Sequence, residues 1–357
     1  MEKMVMNQFY QGKRVLLTGD TGFKGSWLAL WLHAMGANVL GYALAPTSKD
    51  DHFNLLNLAN DIEHIDGNLL DSQLLNDVFE RFQPEIVFHL AAQALVRLSY
   101  DDPKTTFDTN VSGSVNLLEA VRKTKSVKSL IYVTSDKCYK NNEWIWGYRE
   151  NDALGGHDPY SASKAAAELV FSSYIDSFFS KNESIGVASV RAGNVIGGGD
   201  WALDRIIPDC IRSISRNIPI EIRSPNSTRP WQHVLEPLSG YLLLGQRLYE
   251  SPKEFSGAWN FGPEFGSVKT VLQLVESCIQ VYGSGEVIVG KTDGSKHEAG
   301  LLHLNCEKAK HGLEWHPVWG FEQTVFQTIS WYKDFKNGVN PREISMNHIH
   351  NYLANKR

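Results

Sequence analysis

The stretch RVLLTGDTGFKGSWLALWL, Arg14 to Leu32, decides the fold. It passes from a short apolar run through Gly19, Gly22 and Gly25 into a longer apolar stretch of helical character. Glycines three apart at a strand-to-helix junction let the backbone approach a pyrophosphate and leave helix amides free to bind its charge. A glycine pattern alone also fits a plain structural turn. The strand before it and the helix after it favour the phosphate-binding form.

Working outward, RVLLTG, NVLGYAL, EIVFHLAA, SLIYVTS and IGVASVRAG read as strands separated by amphipathic helical stretches. That alternation predicts right-handed βαβ units and an α/β fold: a doubly wound, mostly parallel Rossmann sheet covered on both faces. After Asn194 the pattern weakens and Gly and Pro cluster, which predicts a smaller C-terminal α/β lobe. The expected division is residues 1–193 for the dinucleotide-binding part, with 229–262 returning to it through RPWQHV, the helix LEPLSGYLLLGQRLYE and the strand GAWNFG. Residues 194–228 and 263–357 would form the second lobe, ending in a terminal helix or ordered tail from about Gly338.

The chain has 357 residues, 42% hydrophobic and 21% charged, with a formal net charge of -5. No long basic patch exists, so nucleic acid is not an expected partner. The four cysteines, Cys138, Cys210, Cys278 and Cys306, are far apart and lack metal-ligand spacing. Reduced thiols in a cytoplasm fit them, and no metal is expected. No secretory signal is visible, and the most apolar stretch is broken by His33, Gly36, Asn38 and Gly41, which argues against a membrane span.

Two further patterns carry chemistry. In PYSASKAAAELVFSSYI, Tyr160 and Lys164 are neighbours on one helix face. A lysine beside a phenol favours phenolate, which can take a proton from a sugar hydroxyl as hydride leaves the carbon. Any solvated helix face can show the same spacing. The second pattern, LIYVTSDKCYK, ends an apolar strand in Ser135, Asp136 and Lys137. Lys137 there is either a base or a cap that pairs with Asp136. A carboxylate for the cofactor ribose, expected about 20 residues past the glycines, is absent, because the second strand ends in Ala43 and Leu44. Weak cofactor retention follows.

Over nearly its whole length the chain resembles the extended short-chain dehydrogenase/reductases that act on nucleotide sugars. The motifs that carry this are TGDTGFKG, HLAAQALVRLSYDDPKTTFDTNVSGSVNLLEA, the Tyr160–Lys164 pair, RAGNVIGGGDWALDRIIPD and RPWQHVLEPL. The pairing of TSDKCY with GGGDWALDRIIPD is most similar to the 4,6-dehydratases that take CDP-glucose. The resemblance implies NAD held by Gly19, Gly22, Phe23, Lys24 and Gly25, with Asn68 and Leu69 near adenine. It also puts Ala91, Ala92 and Gln93 against the cofactor, beside Tyr160 and Lys164. Asn68 departs from the Asp usual there, though an amide still bonds an exocyclic amine.

For the substrate the resemblance implies Ser135 at the 4-hydroxyl, Asp136 as acid for the leaving hydroxyl, and Lys137 as base in place of the usual glutamate. A lysine base must lose its proton, which burial and nearby positive charge favour. Asn194, Arg205 and Arg229 would hold the diphosphate. Trp201 would be part of the nucleotide or lobe-closing wall, or only of the core, and His233 and His297 would be structural. A homodimer, or a dimer of dimers, is implied too.

The closest rival is a 4-epimerase on the same fold, which needs Tyr160 and Lys164 but neither Asp136 nor Lys137. A dehydratase of dTDP- or GDP-sugars is a second rival. A silent NAD-binding regulator would be expected to have lost Tyr160 or Lys164.

Overall fold

The computed structural model describes residues 8–290 and 300–356. Its centre is a seven-stranded sheet. In chain order its strands are β1 (Arg14–Thr18), β2 (Asn38–Ala43), β3 (Glu63–Asp66), β4 (Ile86–His89), β5 (Ser129–Val133), β6 (Gly186–Ala192) and β7 (Gly257–Phe261). The spatial order is β7-β6-β5-β4-β1-β2-β3, and every pairing is parallel. The order reverses between β1 and β4, where open α/β sheets leave a crevice at the carboxyl ends of their strands.

Apolar runs become strands here because both sheet faces are covered. Val15 and Leu17 enter one core with Trp27, Trp31, Phe88 and Leu242, whereas Leu16 joins Leu40, Tyr42, Val87 and Leu130 on the other side. Successive strand residues point to opposite faces, so both sets are buried at once. Each fully buried aliphatic side chain contributes about 1.5–3 kcal/mol. The strand that periodicity missed, β3, reads EHID. It is a half-exposed edge strand with one β-branched residue, so it lacks the apolar run that marks the others.

Four helices position the site: α1 (Phe23–Ala34), α2 (Pro159–Tyr174), α3 (Leu235–Glu250) and α4 (Phe321–Lys336). Helix α1 is buried on nearly every side, and its Trp27 Nε1 donates to Gly198 O at 2.9 Å, tying the glycine loop to GGGDW. Segments between β6 and β7 form short strand pairs with one another and with segments that follow β7. Val195–Ile196 runs with Gln232–His233, Ile220–Ile222 with Val287–Val289, and Thr228–Pro230 against Val268–Thr270. Helix α3 then leads into β7, which closes the sheet edge beside β6. The tail forms a helix over Pro341–Asn355.

Candidate active site

The glycine loop is a turn that admits no side chain at Gly19 or Gly25. Gly19 has φ +78°, and a Cβ there would lie 2.7 Å from Ala91 N. A Cβ on Gly25 would come within 1.9 Å of Gly19 O. Gly22 caps α1 without any side-chain hydrogen bond to the first turn, so the amides of that turn remain available to an anion. The cradle therefore fits a dinucleotide pyrophosphate.

Asp158 starts α2, accepting from Ser161 N at 2.9 Å, with Pro159 in the first turn. The helix is held against the sheet by Glu168, one turn beyond Lys164. Glu168 accepts from Arg191 of β6 through two 2.8 Å hydrogen bonds, and from Ser189 and Thr134. Tyr160 N donates to Ser99 Oγ at 3.1 Å. Burial lowers Lys164 to about 8, with Glu168 pulling the other way. Burial raises Tyr160 to about 12, opposed by a Ser135 hydrogen bond and the Arg205 charge. Desolvation thus outweighs the groups that favour phenolate, and the phenol rests neutral.

The end of β5 brings the second acid–base pair to the same place. Ser135 caps a single turn over Asp136–Cys138 by accepting from Lys137 N at 3.2 Å, and its hydroxyl donates to Asp136 Oδ1 at 3.0 Å. Ser135 therefore interacts with both the Asp136 carboxyl and the Tyr160 phenol. Asp136 is 3% exposed and its Oδ2 has no partner among the described residues. Burial raises its pKa, against the opposing charges of Lys137, Lys24 and Arg229. Lys24 is itself lowered to about 8 by burial and by Arg205 and Lys164.

The glycine loop, the end of β5, Tyr160 and Lys164 line one cleft of about 730 Å³. Gly19, Gly22, Phe23, Lys24, Gly25, Asn68, Leu69, Ala91 and Ala92 form its cofactor side, and Ser135, Asp136, Lys137, Tyr160 and Lys164 its middle. Asn194, Arg205 and Arg229 face it from beyond β6. Arg205 is held by Asp200 Oδ2 at 2.9 Å, and Arg229 donates to Thr228 O at 2.8 Å.

Gln93, Trp201 and His233 stand outside the cleft lining. Gln93 does not line the cleft; its amide bonds Thr106 Oγ1 at 2.8 Å and its Oε1 accepts from Leu95 N, so its own loop consumes it. Trp201 takes the core alternative, its ring packing on Tyr332 at 5.2 Å and on Phe335 of α4. His233 is buried, with Nδ1 accepting from Leu235 N and its ring 4.8 Å from Trp319, a structural role. His297 lies outside the described residues. Sequence reasoning missed Arg97, Asp204 and Arg223, which also line the cleft.

The model for "GDP-mannose 4,6 dehydratase" matches residues 16–328. The chain belongs to that dehydratase family. Within it, a CDP-glucose 4,6-dehydratase of Salmonella typhimurium is 48% identical over 355 residues, 98% of this chain and 99% of the relative. A human dTDP-D-glucose 4,6-dehydratase is 27% identical over 347 residues, 92% of each chain. The fold recurs in an epimerase of Methanothermobacter thermautotrophicus, with a TM-score of 0.80, 24% identity and 94% and 97% of the two chains covered. It recurs again in a Bacillus anthracis dTDP-glucose 4,6-dehydratase solved with NAD, with a TM-score of 0.77 at 21% identity and 93% and 100% covered. Among the described residues of this dehydratase, no cluster of acids, histidines or cysteines could hold a metal, and no helix is long and apolar enough to cross a membrane.

Proposed function

We propose that the protein converts CDP-glucose to CDP-4-keto-6-deoxyglucose with NAD as a regenerated cofactor, a step in making a deoxysugar of the kind found in O-antigens. The carrying observation is that Asp136 and Lys137 line the same cleft as Tyr160 and Lys164. An epimerase needs one proton-handling centre, at carbon 4, whereas elimination across carbons 5 and 6 needs a second. The 48% identity to a CDP-glucose 4,6-dehydratase supports the cytidine substrate.

NAD, which Gly19, Gly22 and Gly25 would hold, would supply a hydride acceptor for carbon 4 and a hydride donor for carbon 6. Tyr160 takes the proton of the 4-hydroxyl, with Ser135 hydrogen-bonded to the same oxygen. The resulting ketone acidifies the hydrogen on carbon 5, which Lys137 removes. Asp136, whose carboxyl pKa burial raises, donates to the departing 6-hydroxyl, which leaves as water. Lys137 then returns its proton to carbon 5, so one water is lost and the base is reset. Arg205, Arg229 and Asn194 hold the diphosphate. This reading assigns the cofactor to the lobe expected at 1–193 with 229–262 and the nucleotide sugar to the lobe expected at 194–228 with 263–357, with Arg229 reaching the diphosphate from the first. Exposed apolar residues Leu169 and Phe178, on and just beyond α2, support a homodimer.

The test is incubation with NAD and CDP-, dTDP-, GDP- or UDP-glucose, read by the alkali-induced absorbance of a 4-keto sugar. Turnover of a non-cytidine substrate alone would remove the nucleotide assignment and spare the reaction class. No keto sugar from any of them would sink both. Light scattering at the dimer mass tests the assembly.

A further inference from the structure

Toward the C-terminal wall of the cleft, one carboxylate stands between two arginines from different segments. Asp204 Oδ1 lies 3.4 Å from Arg97 Nη1 and 3.8 Å from Arg223 Nη2. Arg97 belongs to the segment after β4, and Arg223 follows the short strand Ile220–Ile222. All three line the cleft. Asp204 takes φ +59°, a left-handed backbone that costs a non-glycine residue free energy and recurs at ligand clamps. As a partly exposed ion pair, with Asp204 46% and Arg223 34% exposed, the contact itself adds little stability. Stability alone does not account for it.

Its place in the cleft suggests a ligand. A sugar whose carbons 4 to 6 meet Tyr160, Lys137 and Asp136 has the cofactor cradle on one side, so its nucleotide must run the other way. That way leads past Arg205, whose charge acts on Tyr160, and Arg229, whose charge acts on Asp136, to a wall that includes Arg223, Pro208 and Val271.

We propose that Arg223 and Asp204 read the nucleotide base, with the guanidinium donating to O2 and N3 of cytosine and the carboxylate accepting from its 4-amino group. This rests on the CDP-glucose reading above. Arg97 is the positioning residue that holds Asp204 from the facing wall. An arginine fork supplies only donors and an ionised carboxylate only acceptors, which matches the acceptor–acceptor–donor edge of cytosine. Uracil and thymine carry N3–H and O4 at those places. Two of the three contacts then set donor against donor and acceptor against acceptor, so the pair selects by rejecting as well as by binding.

The test uses the full protein with NAD and the nucleotides CDP and UDP, titrated calorimetrically so that no turnover is needed. The wild type should bind CDP tighter than UDP by about 10- to 100-fold, the range for one well-made base contact. Asp204→Asn, whose amide can turn its N–H₂ toward O4, should bring the two affinities close together by weakening CDP and sparing UDP. Arg223→Met should lower CDP affinity more than UDP affinity. Arg97→Met should narrow the ratio in the same direction, and Arg97→Lys should restore part of it, which keeps the test open if Asp204→Asn folds poorly. Equal weakening of CDP and UDP in these variants would reduce the three residues to a structural ion pair and overturn the proposal. Failure of the wild type to turn over CDP-glucose at all would instead sink the reading on which it rests.

Discussion

Arg191 Nε and Nη2 each donate to Glu168 at 2.8 Å, a two-pronged contact between β6 and α2 in which both side chains are at most 4% exposed. Arg191 Nη1 also bonds Tyr139 OH at 2.7 Å, so the pair links α2 to the segment that follows Ser135, Asp136 and Lys137. Two charges out of water are stable only together. Arg191→Met should therefore lower unfolding free energy by about 3–5 kcal/mol by stranding the Glu168 carboxylate, and the double variant Arg191→Met/Glu168→Gln should recover part of that loss. Denaturant midpoints measure both. A single variant within 0.5 kcal/mol of wild type, a margin ordinary for surface changes, would show that the contact does not hold the helix.

The glycine loop makes a graded prediction. A Cβ on Gly25 would overlap Gly19 O at 1.9 Å, whereas one on Gly22 would meet the same oxygen at 3.3 Å. Gly25→Ala must push the first turn of α1 off the loop and should abolish measurable NAD binding. Gly22→Ala should weaken it by roughly tenfold or less, since the neighbour needs to give only a few tenths of an ångström. Fluorescence titration with NADH ranks the two, and equal effects would mean that the loop does not approach the cofactor as its geometry requires.

What the sequence disclosed depended on how local the signal was. The glycines are tied to one turn, Tyr160 and Lys164 to one helix face, and Asp136 and Lys137 to one strand end, so each was legible without the fold. The Glu168–Arg191 contact spans 23 positions, and Arg97, Asp204 and Arg223 meet only when three segments converge. No spacing rule reaches them. Gln93 is named by resemblance alone, and its bonds to Thr106 and Leu95 depend on how its own loop folds, which the sequence does not display. β3 escaped because an edge strand needs no apolar run.

Ala43 and Leu44 line the cleft where a ribose-binding acid is expected, and the nearby Asp66 of β3 is engaged by His64 at 3.0 Å. One hydrogen bond to a charged group, about 1.5–3 kcal/mol, is missing. Purified protein stripped of nucleotide should be inactive and recover activity with a measurable midpoint as NAD is added. Full activity after exhaustive stripping, with no cofactor added, would contradict this.

The last prediction separates the two halves of the reaction. Tyr160 handles the oxygen on carbon 4, and its neutral phenol must give up a proton before it can take one, so Tyr160→Phe should suppress oxidation and leave little NADH absorbance in a single turnover. Lys137→Met keeps that step but removes the base for carbon 5. NADH absorbance should then build up, and exchange of the carbon 5 hydrogen with solvent deuterium should stop. Asp136→Asn leaves the base and removes the acid, so exchange persists while loss of water slows by about 10²- to 10⁴-fold. The sign of the pH dependence follows. Asp136 works while it keeps its proton, and burial extends that protonated range above the ordinary carboxyl value, so water loss slows as the carboxyl ionises with rising pH. Asp136→Asn should remove that dependence. Rapid carbon 5 exchange in Lys137→Met would assign the base to another group and leave Lys137 as a charge that tunes Asp136.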